Sequence, residues 1–272
     1  MQLRYLFLIT VPLCAQAQWV HIESPGIPRT RDGKPNLSAP APRSAGKPDL
    51  SGIWIAQSSP IPDLIRLLPG GINGLGETIP SKYFLDILAD FKSGEEPLLP
   101  AAAAVFRQHS VAQGSAPITR CLPAGVPQGD VVPVPFKLIQ TSGVIVMLSE
   151  LDNSFRQIFT DGRKQPDDPE PSWLGYSVGK WENDSLVVDT IGFNDQGWLD
   201  AAGHTHSEAL RVTERFHRRD FGHMDVEVRL DDPKTFTKPV TIRFIEELVP
   251  DTELIESFCA EGEKDVAHMT AK

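Results

Sequence analysis

Residues 210–231 read LRVTERFHRRDFGHMDVEVRLD, and they carry a period of two. Met224, Val226, Val228 and Leu230 alternate with charged residues, as a half-buried strand requires. Across Phe221-Gly222, Leu210, Val212 and Phe216 take the apolar face of a second strand, and Glu214 sits among them. The same alternation continues outward. It predicts strands over 137–141, 144–151, 154–160, 174–182, 185–193, 240–248 and 253–260, with 52–57 as an isolated first strand. Ser142-Gly143 and Asn183-Asp184 mark tight hairpin turns. Many short strands joined by tight turns predict an antiparallel meander. An open meander exposes two long edges, and closure removes them. The fold class is therefore mainly β, a calycin- or lipocalin-like barrel, with a two-sheet sandwich as the alternative.

Upstream the period changes. Residues 81–92 open with Ser81 as a cap and carry Phe84, Leu85, Leu88 and Phe91 at helical spacing. Residues 100–113 begin with Pro100 and are alanine-rich, which predicts a second helix. Residues 114–136 are broken by five prolines and read as loop. Residues 18–50 are rich in Pro, Gly, Ser and Arg and predict an extended arm. Residues 1–17 combine Arg4, a ten-residue apolar run and Ala15-Gln16-Ala17, the pattern of a cleaved export signal. That run is too short to span a bilayer, which needs about 20 residues. The expected organisation is a signal peptide, the arm, and one β domain over 51–270 that carries the two helices.

The chain has 272 residues and a formal net charge of -10, which argues against nucleic acid and anionic membrane surfaces as partners. Its hydrophobic share of 40% is enough for a packed core. Removing the signal takes away Cys14 and leaves Cys121 and Cys259. An even pair in an oxidising compartment points to a disulfide, with two buried thiols as the other reading. No G-x-S-x-G, P-loop, G-x-G-x-x-G or H-E-x-x-H occurs, so the sequence implies no cofactor and no elbow-type hydrolase, NTPase, dinucleotide-dependent dehydrogenase or zincin.

The chemistry-bearing feature is acidic residues on apolar faces. Glu214, Glu246 and Glu256 each alternate into the core side of a predicted strand, and Asp189 lies with Val187, Ile191 and Phe193. A lone carboxylate is costly to bury, so each must be neutralised, paired or solvated in a cavity. Two readings follow. Either these groups pair with Arg156, Arg215 or Arg243, or they line a polar site in the barrel mouth suited to proton transfer. On the second reading Glu214 is the first candidate for proton transfer. Glu256, Asp189 and His206 follow, and Arg215 or Arg163 stabilises an anion.

Residues 194–208, NDQGWLDAAGHTHSE, form a long polar loop. Its H-x-H pair offers His204, His206 and Glu208 as a metal set, although the spacing matches no established motif. A third group, Asp161, Arg163, Trp173, Tyr176 and Trp181, places aromatic rings beside charges, which suits a sugar-like or aromatic ligand as well as core packing. Gly175 and Gly179 share a face with Trp181 and would leave room for its indole or for a ligand.

The segments FRQIFTDGR (155–163), GYSVGKWE (175–182), LVVDT (186–190) and VTERF (212–216), with Asp232-Pro233 and Phe236 to Pro239, resemble a widespread family of exported bacterial β-rich proteins. The chain departs from that pattern at Asn183, where Gly is usual, and at Val240, where Trp is frequent. The resemblance implies export and one β-rich domain over about 48–270, and it carries over no catalytic residue. The combined expectation is a periplasmic or secreted protein that takes a small organic ligand into a barrel. It acts either as an acid–base enzyme of the lyase, isomerase or hydrolase kind or as a non-catalytic carrier. A metal-dependent enzyme using residues 204–208 is a third reading.

Overall fold

The computed structural model describes residues 22–68, 79–111 and 116–259. The expected export signal (1–17), the last residues of the alanine-rich helix and the chain from 260 onward lie outside the described residues. A small ribbon pairs β1 (Arg43–Ser44) with β2 (Lys47–Pro48). Next come β3 (Gly52–Ala56) and four helices: α1 (Ile61–Leu67), α2 (Lys82–Leu85), α3 (Pro100–Val111) and α4 (Gln128–Val131). The remaining strands are β4 (Phe136–Gln140), β5 (Val144–Ser149), β6 (Phe155–Phe159), β7 (Tyr176–Glu182), β8 (Ser185–Ile191), β9 (Arg211–Arg218), β10 (His223–Asp231) and β11 (Val240–Leu248).

Strands β3 to β11 form a closed barrel in the order β10-β11-β3-β4-β5-β6-β7-β8-β9, so the sandwich alternative falls away. The expectation of a purely antiparallel meander needs one correction. Closing nine strands cannot alternate direction all the way round, so one neighbouring pair must run parallel. That pair is β6–β7, registered only at Ile158↔Ser177 and Phe159↔Val178. Parallel neighbours need a crossover rather than a hairpin, and residues 160–175 supply it.

The expected strand over 253–260 does not form over its described residues, 253–259, either. β3 pairs with both β11 and β4, which leaves that segment no free edge. It is held by side chains instead: Ile255 N donates to Glu150 Oε2 (3.1 Å), and Asn153 bonds the backbone of Ser257 on both sides. Cys259 is disulfide-bonded to Cys121, with Cα atoms 5.5 Å apart. This bridge across 138 residues fits an oxidising compartment. No described helix is long and apolar enough to cross a membrane.

The interior is filled by side chains, as the diameter of a barrel this size permits. Leu138, Ile145, Ile158, Leu186, Val188, Val212, Phe216, Val226 and Val228 are buried in one continuous core. The N-terminal arm closes one end. Phe221 N and Gly222 N donate to Ala39 O (2.7 Å) and Leu37 O (2.8 Å). A Cβ on Gly222 would lie 2.4 Å from that of Leu37, so only glycine admits the arm there. Beneath it Arg218 is buried against Trp54 and Phe221 and donates to the carbonyls of Asp49, Ser51, Asp220 and Phe221. Burial pushes its guanidinium down to about 10.

Helices α2 and α4 and the loop between β8 and β9 close the other end. The expected helix over 81–92 is cut to one turn. Ser81 caps it by accepting from Tyr83 N, as its position suggested. Asp86 then turns to extended geometry, its own carboxylate accepts Leu88 N (2.8 Å), and Ile87 N goes to Asp200 Oδ2 (2.7 Å). Side-chain acceptors have taken the N–H groups the helix needed.

Candidate functional site

Inside the barrel Arg156, on β6, lies across the neighbouring strands. Its Nε donates to Ser177 Oγ on β7 (3.0 Å) and its Nη2 to Thr190 Oγ1 on β8 (2.9 Å). Both Nη atoms reach the Glu214 carboxylate on β9, Nη1 to Oε1 at 2.9 Å. This two-pronged pair is 4% exposed at the arginine and 0% at the glutamate. Arginine suits the position because its planar fork meets a carboxylate with two parallel bonds. Of the expected partners for the buried acids, Arg156 is the one used for Glu214.

A second acid enters from the end of the barrel. One-turn α4 follows Pro127 and carries Gln128 and Asp130 inward, both buried. Asp130 Oδ1 lies 4.0 Å from Arg156 Nη1, and its Oδ2 has no hydrogen-bond donor in reach among the described residues. Burial first, and then the Glu214 charge, pushes the Asp130 carboxyl well above the usual range. A third acid, Glu246 on β11, is 0% exposed, and neither of its oxygens has a hydrogen-bond partner among the described residues. Burial, reinforced by Asp130 and Glu247, raises it well above the usual range too. Arg156 thus meets Glu214 directly and Asp130 at 4.0 Å, while Glu246 is buried without a partner among the described residues. Burial disfavours the charged form of both Asp130 and Glu246.

The parallel seam shapes what lies above. Because β6 and β7 pair only at 158–159 and 177–178, Phe155 to Gln157 at the start of β6 have no ladder partner in β7. A groove of about 490 Å³ opens there, walled by Phe155, Phe159, Trp173 and Tyr176, with Arg156 and Ser177 at its floor. Phe155 is 62% exposed. Asn153, Ser154, Gln157 and Ser172 add amide and hydroxyl groups along it. At the rim Arg163 lies 3.7 Å over the Phe159 ring, donates to the Tyr176 hydroxyl (3.1 Å), and is paired with Asp161. Asp161, Arg163, Tyr176 and Trp173 are therefore neighbours, as the sequence suggested. Trp181 is not one of them: it sits at the far end of β7, packed on the core beside Leu186. The room expected at Gly175 and Gly179 is also taken. A Cβ on Gly179 would meet Ile158 at 3.0 Å and one on Gly175 the Ile191 carbonyl at 2.8 Å.

The other expected catalytic residues do not gather around Glu214. Asp189 faces outward on β8 and is held by Arg211 and Thr213. Strand β8 is apolar on both sides, and its inward set is Leu186, Val188 and Thr190. Glu256 is exposed in the tail that forms no strand. Arg215, next to Glu214 in sequence, points to the opposite side and pairs with Glu182 (2.7 Å). His206 is buried beside Phe193, edge-on at 5.7 Å, and burial lowers its imidazole below the usual value. His204, His206 and Glu208 form no metal set. His204 is taken up by Asp200 and Phe106, His206 by the Ser207 carbonyl and Phe193, and Glu208 is exposed.

His204 joins Asp86 and Asp200 instead, with one ligand atom from each within 4.8 Å of the others. Its Nδ1 donates to Asp200 Oδ2 (2.6 Å), and its ring stacks on Phe106 of α3 (4.0 Å). Burial alone would lower His204, but the charges of Asp200 and Asp86 outweigh it and raise it. Asp200 spends its remaining lone pairs on the backbone N–H of Ile87, Gly203 and His204. The donors a cation would need are thus committed to holding three chain segments together.

Asp130 is the site residue that sequence reasoning missed. Its only signal was a charged residue inside an otherwise apolar stretch, PAGVPQGDVVPVP at 123–135. No family model, no curated protein and no solved structure matches the chain.

Proposed function

We propose that this protein binds a small, uncharged, ring-bearing ligand, aromatic or sugar-like, in the groove over the β6–β7 seam. The observation that carries this reading is the groove itself, about 490 Å³ with four aromatic walls interleaved with amides and hydroxyls. That size and lining fall within the range of small-molecule sites. An uncharged ligand is favoured because the cations in reach are already compensated, Arg156 by Glu214 and Arg163 by Asp161. The disulfide and the signal-like residues 1–17 support a periplasmic or secreted setting for this binding.

A second reading, acid–base turnover of that ligand, draws on Asp130, whose carboxyl is raised well above the usual range and lies 4.0 Å from Arg156, a residue that lines the groove. The test of the first reading is ligand-observed NMR with a set of simple phenyl compounds and monosaccharides. Binders are expected from at least one class, with Trp173→Ala weakening them roughly tenfold by loss of a stacking wall. Binding unaffected by Trp173→Ala and by Tyr176→Ala would remove the groove from consideration. Product formation from a bound compound, lost in Asp130→Asn, would favour turnover over carriage.

A further inference from the structure

The short parallel seam leaves part of a strand edge open in the groove. The ends of β6 fix which way its backbone groups point. Ser154 O accepts from Ser149 N (3.0 Å) and Thr160 N donates to Gly143 O (2.9 Å), both on the β5 side. Successive residues of a strand turn their N–H and C=O to opposite sides, so 154, 156, 158 and 160 face β5 while 155, 157 and 159 face β7. The ladder at Ile158↔Ser177 and Phe159↔Val178 uses the Gln157 C=O and both polar groups of Phe159. The chain ahead of β7 is engaged elsewhere: Gly175 turns at φ +63, and Ser172 pairs with Phe193. Phe155 N–H, Phe155 C=O and Gln157 N–H are thus left without a protein partner among the described residues. Phe155 and Gln157 are exposed, and both line the groove.

We infer that the ligand class of the groove is a small peptide-like amide bearing an aromatic ring, seated as a short extra strand on the β6 edge. Its amide N–H donates to Phe155 C=O, and its carbonyl accepts from Phe155 N–H. The inference rests on the groove being the binding site. An extended residue presents one donor and one acceptor on the same side, which is the complement of Phe155 and the pattern of a two-bond pair in an antiparallel ladder. A strand added there would lie about 4.8 Å from β6, in the groove that Phe155, Gln157, Trp173 and Tyr176 line. A residue paired with Phe155 carries its side chain on the same face of the sheet as the Phe155 ring, so an aromatic side chain meets the aromatic lining. A bare ring leaves the edge groups to water, whereas an amide uses both. Uncharged ends suit the site, since Arg156 is compensated by Glu214 and Arg163 by Asp161.

The probes are N-acetyl-L-phenylalanine methylamide, its depsipeptide analogue with an ester oxygen in place of the phenylalanine N–H, and toluene, which keeps the ring alone. Affinities are read by ligand-observed NMR, and amide exchange in 15N-labelled protein reads the edge itself. Wild type is expected to bind the amide roughly three- to tenfold more tightly than the ester, the range of one net hydrogen bond. Exchange of the Phe155 N–H should slow with the amide bound and stay unchanged with toluene. Phe155→Ala loses the ring and weakens both probes, but it keeps the backbone groups and should keep the preference. Phe155→Pro also removes the N–H, at an edge position where proline is tolerated, and should bind the amide a further three- to tenfold or so less tightly than Phe155→Ala. Should Phe155→Pro fail to fold, the exchange measurement decides with the wild type alone. If toluene alone binds, or if amide and ester bind equally, remain sensitive to Trp173→Ala and leave Phe155 exchange unchanged, the strand pairing is overturned and the groove stands. If none of the three binds, the pairing is overturned too, and the groove falls with it unless a monosaccharide binds there.

Discussion

Two buried acid clusters sit among the described residues, and they obey different rules. In the Asp200 cluster both Asp200 oxygens accept from backbone N–H groups and Oδ2 also from His204, and the three segments around residues 87, 200 and 204 are joined by those bonds. The orphan there is one ring nitrogen, His204 Nε2. In the barrel cluster, Glu214 is fully engaged by Arg156, while Glu246 has no partner on either oxygen and Asp130 has none on Oδ2. Buried polar groups in native proteins are nearly always paired, and the exceptions concentrate where function is paid for in stability. The first cluster therefore reads as a staple and the second as a site. The difference lies not in burial or charge but in whether the surrounding atoms finish the job.

The sharpest way to break the comparison is to remove the cation that both halves of the barrel cluster depend on. Arg156→Met leaves Glu214 buried without its counter-charge, and loss of one partner of such a pair costs about 3–5 kcal/mol. The urea midpoint should fall accordingly, and the double variant Arg156→Met with Glu214→Leu should recover most of the loss. A single variant that loses less than about 1 kcal/mol would mean that the pair does not organise the interior.

The staple makes a contrasting demand. Asp200→Ala orphans the N–H groups of Ile87, Gly203 and His204, and unsatisfied buried donors cost about 1–3 kcal/mol each before relaxation. A net loss of about 2–3 kcal/mol in unfolding free energy is expected, with groove binding changed less than twofold. Binding that collapses while stability holds would exchange the roles of the two clusters. Metal analysis of protein prepared without chelator should find no bound transition metal at Asp86, Asp200 and His204. Stoichiometric zinc would make the staple a site after all.

What the sequence disclosed follows from the same distinction between local and assembled features. Glu214 and Glu246 were legible because β9 and β11 alternate cleanly, so a carboxylate between Val212 and Phe216, or between Phe244 and Leu248, has one side to go to. Asp189 was not legible, since β8 is apolar on both faces and alternation there has no sign. Glu256 misled because Leu254 and Phe258 alternate with it as in a strand, while the edge that strand would need is filled by β3 from two hundred residues upstream. Strand parity, and with it the parallel seam and the groove, is a property of the closed ring and is written in no single segment. Asp130 is of the same kind. Nothing periodic surrounds it, and only the path of the chain from Cys121 to β4 carries it into the barrel.

The smallest effect is also the most diagnostic, because it has the opposite sign. Glu246 is held above its ordinary value near 4.5 by burial, by Asp130 and by Glu247. In the unfolded chain it ionises freely above that value, whereas in the fold it must keep its proton. The stability it contributes is therefore complete below pH about 4.5 and is lost as pH rises through the higher folded value. Glu246→Gln is neutral at every pH and escapes that loss. It should match the wild type near pH 4–5 and exceed it by about 1–2 kcal/mol at pH 8. Glu246→Leu, which also removes the polar atoms facing Met224 and Ala56 across the ladder, should gain at least as much. Thermal melts of the three proteins across this range decide the matter. A wild type that stays more stable than both variants at pH 8 would mean that Glu246 is satisfied after all, and the barrel cluster would then be a second staple.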